Sequence, residues 1–114
     1  MSTVSTHVLD TSLGRPAASV QVTLERVDDA GSTAAIASAT TDANGRIATA
    51  GDSAKNLAPG SYRLRFDTAE YFLRTGRAAF YPEVVVTFRI DSADEHFHIP
   101  LLLSPFGYST YRGS

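Results

Sequence analysis

Three histidines are the residues best suited to chemistry in this chain of 114 residues. His96 and His98 stand two apart, so on a strand their rings project from one face. His7 lies near the other end of the sequence, with Ser5 and Leu9 at the same alternation. Neutral imidazole titrates at about pH 6.5 and can take a proton from water at neutral pH, which is general-base chemistry. Such a base needs a cation to oppose the charge that builds on an attacked oxygen. Arg46, directly after Asn44-Gly45, is the candidate. His-x-His with a distant third His could equally supply three ligands to a catalytic zinc, although no acidic residue is placed to complete that set. The bland alternatives are three solvated or hydrogen-bonded histidines and an ordinary arginine after a hairpin. Spacing alone leaves all of these open.

The C-terminus is the other unusual stretch. Phe106-Gly107-Tyr108-Ser109-Thr110-Tyr111-Arg112-Gly113-Ser114 keeps a β-like pattern to the last residue, whereas most chain ends fray unless tied down. A final strand that ends in Tyr111-Arg112-Gly113-Ser114 implies a placed terminus, with its carboxylate and Arg112 usable as polar contacts. Its bland reading is an edge strand that happens to stop there.

The elements that must position these residues follow a period of two. Val20, Val22 and Leu24 alternate with Gln21, Thr23 and Glu25. Tyr62, Leu64 and Phe66 alternate with Arg63, Arg65 and Asp67. Val84, Val86, Phe88 and Ile90 share one face, as do Phe97, Ile99, Leu101 and Leu103. Each such segment buries one row of side chains and exposes the other. His96 and His98 therefore point outward if Phe97, Ile99 and Leu101 point into a core. Between the runs lie turn signals at Asp28-Asp29-Ala30-Gly31, Asp42-Ala43-Asn44-Gly45, Pro59-Gly60 and Asp91-Ser92-Ala93-Asp94, with Gly and Asn supplying positive φ. Seven or eight short strands in about 110 residues indicate an all-β sandwich. Asp67 to Gly76 is the exception. A cap, an early acid, a late Arg and a Gly stop predict two turns of helix, with Tyr71, Phe72 and Thr75 toward the sandwich.

Composition narrows the function classes. With 43% hydrophobic and 19% charged side chains, residues 1–114 read as one globular domain. There is no cysteine, which removes disulfides, thiolate metal sites and thiol nucleophiles. Ten basic and twelve acidic residues leave a net charge of −2. The basic residues are scattered from Arg15 to Arg112, so no phosphate-tracking stripe forms and nucleic acid is not an expected partner. The first dozen residues have neither a basic nor an apolar signal region. The longest apolar runs, such as Ala34–Ala37 and Leu101–Leu103, fall far short of the ~20 residues of a membrane helix. The expectation is a cytoplasmic protein away from membranes.

Three stretches go further. STHVLDTSLGRPA (Ser5 to Ala17), TDANGRI (Thr41 to Ile47) and HFHIPLLLSPFGYSTYRGS (His96 to Ser114) resemble the transthyretin-like 5-hydroxyisourate hydrolases. The likeness runs over nearly the whole chain. TDANGR followed by LAPGSYRLRF is also similar to prealbumin-like and carboxypeptidase-regulatory-like binding modules, and so signals only the fold. The two ends discriminate: His7 in HVLD, Arg46 in NGR, His98 in HIPLLLSP and the terminal YRGS resemble the hydrolase signature rather than hormone-carrying transthyretins.

That resemblance implies a transthyretin/prealbumin-like sandwich of two four-stranded sheets with one short helix. It implies hydrolysis of 5-hydroxyisourate to 2-oxo-4-hydroxy-4-carboxy-5-ureidoimidazoline in urate degradation, with no metal and no cofactor. The implied catalytic residues are His7, Arg46, His98 and Ser114, and Tyr111, Arg112 and Gly113 would shape the substrate pocket. His96 shares the face of His98 but stands outside the signature, as a bystander or supporting residue. The implied assembly is a homotetramer whose active sites lie at subunit interfaces, along a central channel. The competing reading is a transthyretin-like carrier that holds a flat ligand without reacting.

Overall fold

The computed structural model, which describes residues 2–47, 57–91 and 94–113, turns the period-two segments into strands. The element order is β1 (Thr3–Asp10), β2 (Arg15–Pro16), β3 (Gln21–Val27), β4 (Thr33–Thr40), β5 (Arg46–Ile47), β6 (Gly60–Phe66), α1 (Thr68–Arg74), β7 (Val84–Ile90), β8 (His96–Ser104) and β9 (Gly107–Thr110). One sheet has the order β4-β3-β6-β7. The other runs β2-β1-β8-β9, with β5 also paired to β1, so it carries a fifth, two-residue strand beyond the expected four. The all-β sandwich with one short helix is what the alternation indicates.

Hydrophobic burial explains the pairing of layers. Val8, Phe97, Ile99, Leu101 and Leu103 of one sheet and Leu24, Leu64, Phe66 and Val84 of the other are each at most 5% exposed. A fully buried side chain of this size contributes about 1.5–3 kcal/mol relative to leaving it in water. The polar residues between them are then forced outward. In β1 the burial alternates strictly, with Val4, Thr6, Val8 and Asp10 inside.

Two local expectations need correction. Gly31 and Gly45 take positive φ in their turns, but Asn44 does not. Thr75 lies outside the sandwich, because its hydroxyl donates back to the Tyr71 carbonyl at 3.0 Å. Thr68 is buried beside Tyr71 and Phe72 instead, and Asp67 caps the helix by accepting from the Glu70 amide. The Ser92-Ala93 turn lies outside the described residues. β4 was not signalled by alternation: half of its TAAIASAT is alanine, and it forms as the antiparallel partner of β3, from Gln21↔Thr40 to Val27↔Thr33. Among the described residues, no helix is long and apolar enough to cross a membrane.

The feature that matters most for the site is the neighbourhood of β1. It lies parallel to β8 along its whole length, and on its other edge pairs antiparallel with both β2 and β5.

Candidate active site

Strand register brings the sequence-distant residues together. Side chains directly opposite one another on adjacent strands share a face of the sheet. His7 is opposite Pro100 on one side and opposite Arg46 on the other. Ser5 is opposite His98, and Thr3 is opposite His96. Arg46, His7, Ser5, His98 and His96 therefore occupy one continuous patch on the outer face of the sheet. Alternation predicts the outward aim of His96 and His98 and puts His7 on one face with Ser5. Only the parallel β1–β8 pairing makes them neighbours.

The turn before Arg46 is built to hold it. The Asp42 carboxylate accepts hydrogen bonds from the Asn44 and Arg46 amides at 2.8 and 2.9 Å. The Gly45 carbonyl accepts from the Val8 amide at 2.7 Å, which fastens the turn to β1. Among the described residues, neither the Arg46 guanidinium nor the His7 ring has a hydrogen bond or ion pair. Both are free for a ligand.

His98 is half-buried, and its Nδ1 is 2.8 Å from the Ser5 hydroxyl. Its pKa is pushed below the usual imidazole value, first by burial and then by the positive charges of Arg46, His96 and His7. The ring is therefore held neutral at physiological pH. His96 is exposed, with Nε2 at 2.8 Å from the same Ser5 hydroxyl and Nδ1 at 2.5 Å from the Thr3 hydroxyl. Ser5 and Thr3 were not singled out by the sequence. A serine two residues before a histidine carries no chemical signal until β8 is laid beside it.

The terminal segment divides. After β9 the chain returns to β8, where the Gly113 amide donates to the His98 carbonyl at 2.8 Å. A methyl group at position 113 would lie 2.6 Å from Cδ2 of His98, so only glycine lets the backbone pass this close to the ring. Tyr111 and Arg112 do not join the histidine patch within one copy of the chain. They line a cleft of about 350 Å³ at the open edge between the sheets, with Val86, Phe88, Phe97 and Ile99. There the Arg112 guanidinium lies 4.6 Å from the centre of the Phe97 ring and pairs with Glu95 at 2.6 Å. Ser114 lies outside the described residues. Among those residues, no group of three His, Cys, Asp or Glu side chains is arranged to hold a metal ion.

A neutral imidazole, a second imidazole and an unpaired guanidinium on one face can deprotonate water and oppose an oxyanion. The arrangement suits hydrolysis of a polar substrate that presents a carbonyl.

Comparison with known proteins points the same way. The family model described as HIUase/Transthyretin family matches residues 4–113. A Salmonella dublin protein named 5-hydroxyisourate hydrolase is 46% identical over 111 residues, covering 97% of this chain and 80% of that protein. The solved structure of Klebsiella pneumoniae 5-hydroxyisourate hydrolase superimposes with a TM-score of 0.86 at 43% identity, covering all of both chains. Sea bream transthyretin in complex with thyroxine superimposes with a TM-score of 0.88 at 32% identity, covering 96% of this chain and 93% of that one.

Proposed function

Since the chain belongs to the HIUase/Transthyretin family, we propose that it is a hydrolase of 5-hydroxyisourate in urate degradation. The observation that carries the reading is the outer-face patch, where β1 gathers His7, Arg46 and His98 from three separate parts of the sequence. A carrier gains nothing from a neutral imidazole beside an unpaired guanidinium. An acyl-type hydrolase can use both, the imidazole as base and the guanidinium against the oxyanion.

In the proposed mechanism, water attacks a ring carbonyl of 5-hydroxyisourate. His98 or His7 takes the water proton, a step worth typically about 10²–10⁴-fold. Arg46 binds the substrate's oxygens and opposes the charge of the tetrahedral intermediate, and loss of one such donor typically costs ~2.7–4 kcal/mol. Breaking the ring C–N bond returns the proton to the leaving nitrogen and opens the ring to 2-oxo-4-hydroxy-4-carboxy-5-ureidoimidazoline. Ser114 and the Tyr111–Gly113 segment orient the substrate. Gly113 is already against His98 in one chain, and the proposed homotetramer, with sites between subunits, is what would bring Tyr111 and Arg112 of another copy to bear. A single cytoplasmic domain without metal or cofactor completes the reading.

The test is kinetic. 5-Hydroxyisourate is generated in the cuvette from urate and urate oxidase, chelator-treated protein is added, and the ultraviolet absorbance of the intermediate is followed. Accelerated decay is expected, and His98→Ala should abolish most of it while leaving the unfolding midpoint near that of the wild type. Decay at the spontaneous rate that added zinc then accelerates would replace this mechanism with a metal-assisted one. No acceleration in either case would favour a carrier, the reading that the thyroxine complex of sea bream transthyretin suggests, and ligand binding would be measured next.

A further inference from the structure

From the unbroken chain of hydrogen-bonding groups Thr3–His96–Ser5–His98, we infer that His96, acting through Ser5, carries protons between His98 and solvent during turnover. This deepens the hydrolase reading and rests on it. The hydroxyl of Ser5 lies 2.8 Å from Nε2 of His96 and 2.8 Å from Nδ1 of His98. Thr3 Oγ1 closes the far end at Nδ1 of His96. The exposed position of His96 puts that end of the chain in contact with water, whereas His98 is half-buried.

Hydrogen-bond counting leaves the chain two arrangements. A serine hydroxyl has one proton to donate, and each neutral imidazole has one N–H and one bare nitrogen. Ser5 must therefore donate to one ring and accept from the other. In the first arrangement Ser5 donates to His96 Nε2 and accepts from His98 Nδ1–H, so His98 Nε2 is bare and can act as a base. In the second, Ser5 donates to His98 Nδ1, and His98 Nε2 carries a proton it can give away. Thr3 reverses its role in step with them. The direction of the chain decides whether His98 offers a lone pair or a proton at Nε2.

Attack by water switches the first arrangement into the second. His98 Nε2 takes a proton from the attacking water. Its Nδ1 proton passes to Ser5 Oγ, and the Ser5 proton passes to His96 Nε2. His98 is neutral again, and the positive charge has moved to His96, where exposure lets solvent or buffer remove it. The reverse passage restores the first arrangement. His98 Nε2 gives its proton to the leaving nitrogen, Ser5 protonates His98 Nδ1, His96 Nε2–H protonates Ser5, and water replaces the proton on His96. The charged and titratable groups around His98 are Arg46 on β5, His7 on β1 and His96 on its own strand. All are basic, so a positive charge on His98 is unfavourable, and the exposed His96 ring is where it meets water. His96 is a positioning residue in this scheme: it touches no substrate and acts through Ser5.

Two variants and two readouts test it. Ser5→Ala removes the bridge and His96→Ala removes the exit, both on the outer face and away from the core. Each should lower kcat by about 10-fold, less than the ~100-fold or more that a proton-transferring side chain contributes, with KM unchanged. Added imidazole should restore kcat of His96→Ala in proportion to its concentration, because a soluble base can take the place of the exit. It should not restore Ser5→Ala to the same degree. Loss of kcat without rescue by imidazole, or wild-type kcat in both variants, overturns the relay. The second readout needs no turnover: imidazole nitrogen resonances should show His96 and His98 titrating as a coupled pair in the wild type and separately in Ser5→Ala. Identical titrations in the two proteins also overturn it. Coupled titration in a wild-type protein that fails to accelerate 5-hydroxyisourate decay would remove the hydrolase reading while leaving the hydrogen-bonded chain intact.

Discussion

An imidazole accepts a proton only while it is neutral, and the surroundings of His98 favour that state. Burial comes first, followed by the positive charges of Arg46, His96 and His7, and all four lower its pKa. Because the charged form is the disfavoured one, the base stays competent to more acidic pH than a free imidazole. The acid limb of kcat/KM, which reports the free enzyme, should therefore fall below the ordinary imidazole value of about 6.5. Replacing Arg46 by Gln should lower the rate through loss of the cation and, separately, move that limb toward higher pH. A pH–rate profile of both proteins checks this; a limb above 6.5 in the wild type would remove His98 as the base. His7, Arg46 and His98 were legible as candidates because their types are chemically pointed, alternation about Phe97 and Ile99 turns His98 outward, and the family resemblance groups the three. Ser5 was not legible, since a hydroxyl acquires its role only from the two rings laid beside it. The placement of Tyr111 and Arg112 was not legible either, because alternation says nothing of where a segment goes after its last ladder bond.

At the scale of elements, the turn at Asp42–Gly45 shows how a fold signal becomes a site. Asp-x-Asn-Gly reads from sequence as a turn. Its role in presenting Arg46 depends on β5 docking against β1, which two residues of sequence cannot announce. Gly45 has φ of +75°, and a Cβ there would collide with the Val8 carbonyl that belongs to the neighbouring strand. Gly14 provides the comparison, with φ of +66° and open space around its missing Cβ. Both positions carry the backbone strain of a left-handed residue, on the order of 1–3 kcal/mol for a non-glycine. Only Gly45 adds a steric conflict that cannot relax without moving the turn. Gly45→Ala should therefore lower the unfolding temperature more than Gly14→Ala and should also lower kcat/KM by displacing Arg46, whereas Gly14→Ala should leave turnover near wild type. Thermal unfolding and steady-state kinetics on the pair decide the matter, and equal effects on activity would dissociate the turn from the site. β4 marks the opposite limit of the sequence signal. Its alanines fit a strand only because β3 offers an edge, so propensity gave no hint of it.

Across the whole molecule, one buried polar cluster ties the site-bearing sheet to the helix that connects the strands of the other. Asp10, at the end of β1, has no exposed side-chain surface. It accepts from the Tyr71 hydroxyl of α1 at 2.7 Å and from Arg77 at 2.6 Å, with further hydrogen bonds from Ser12 and Leu13. Burial alone would raise its pKa, but the bonds from Arg77, Tyr71, Ser12 and Leu13 outweigh that and hold the carboxyl far below the usual carboxylate range. A group whose pKa is depressed by folding stabilises the fold fully above its unfolded value, about 3.9 for Asp, and progressively less as pH falls below it. Arg77→Met keeps the length of the side chain but leaves the carboxylate buried without its cation, a change that typically costs about 3–5 kcal/mol. Urea unfolding at equal protein concentration should show that deficit at pH 7. It should also show the gap to wild type closing as pH drops below about 4, because the unfolded chain then takes up a proton that the wild-type Asp10–Arg77 pair in the fold still refuses. A gap that stayed constant from pH 7 to pH 3 would mean that Arg77 stabilises the protein through packing against Tyr71 and Phe72 rather than through its charge. Both rings lie within reach of its guanidinium, at 5.7 and 5.0 Å, so the pH dependence is the observable that separates the two contributions.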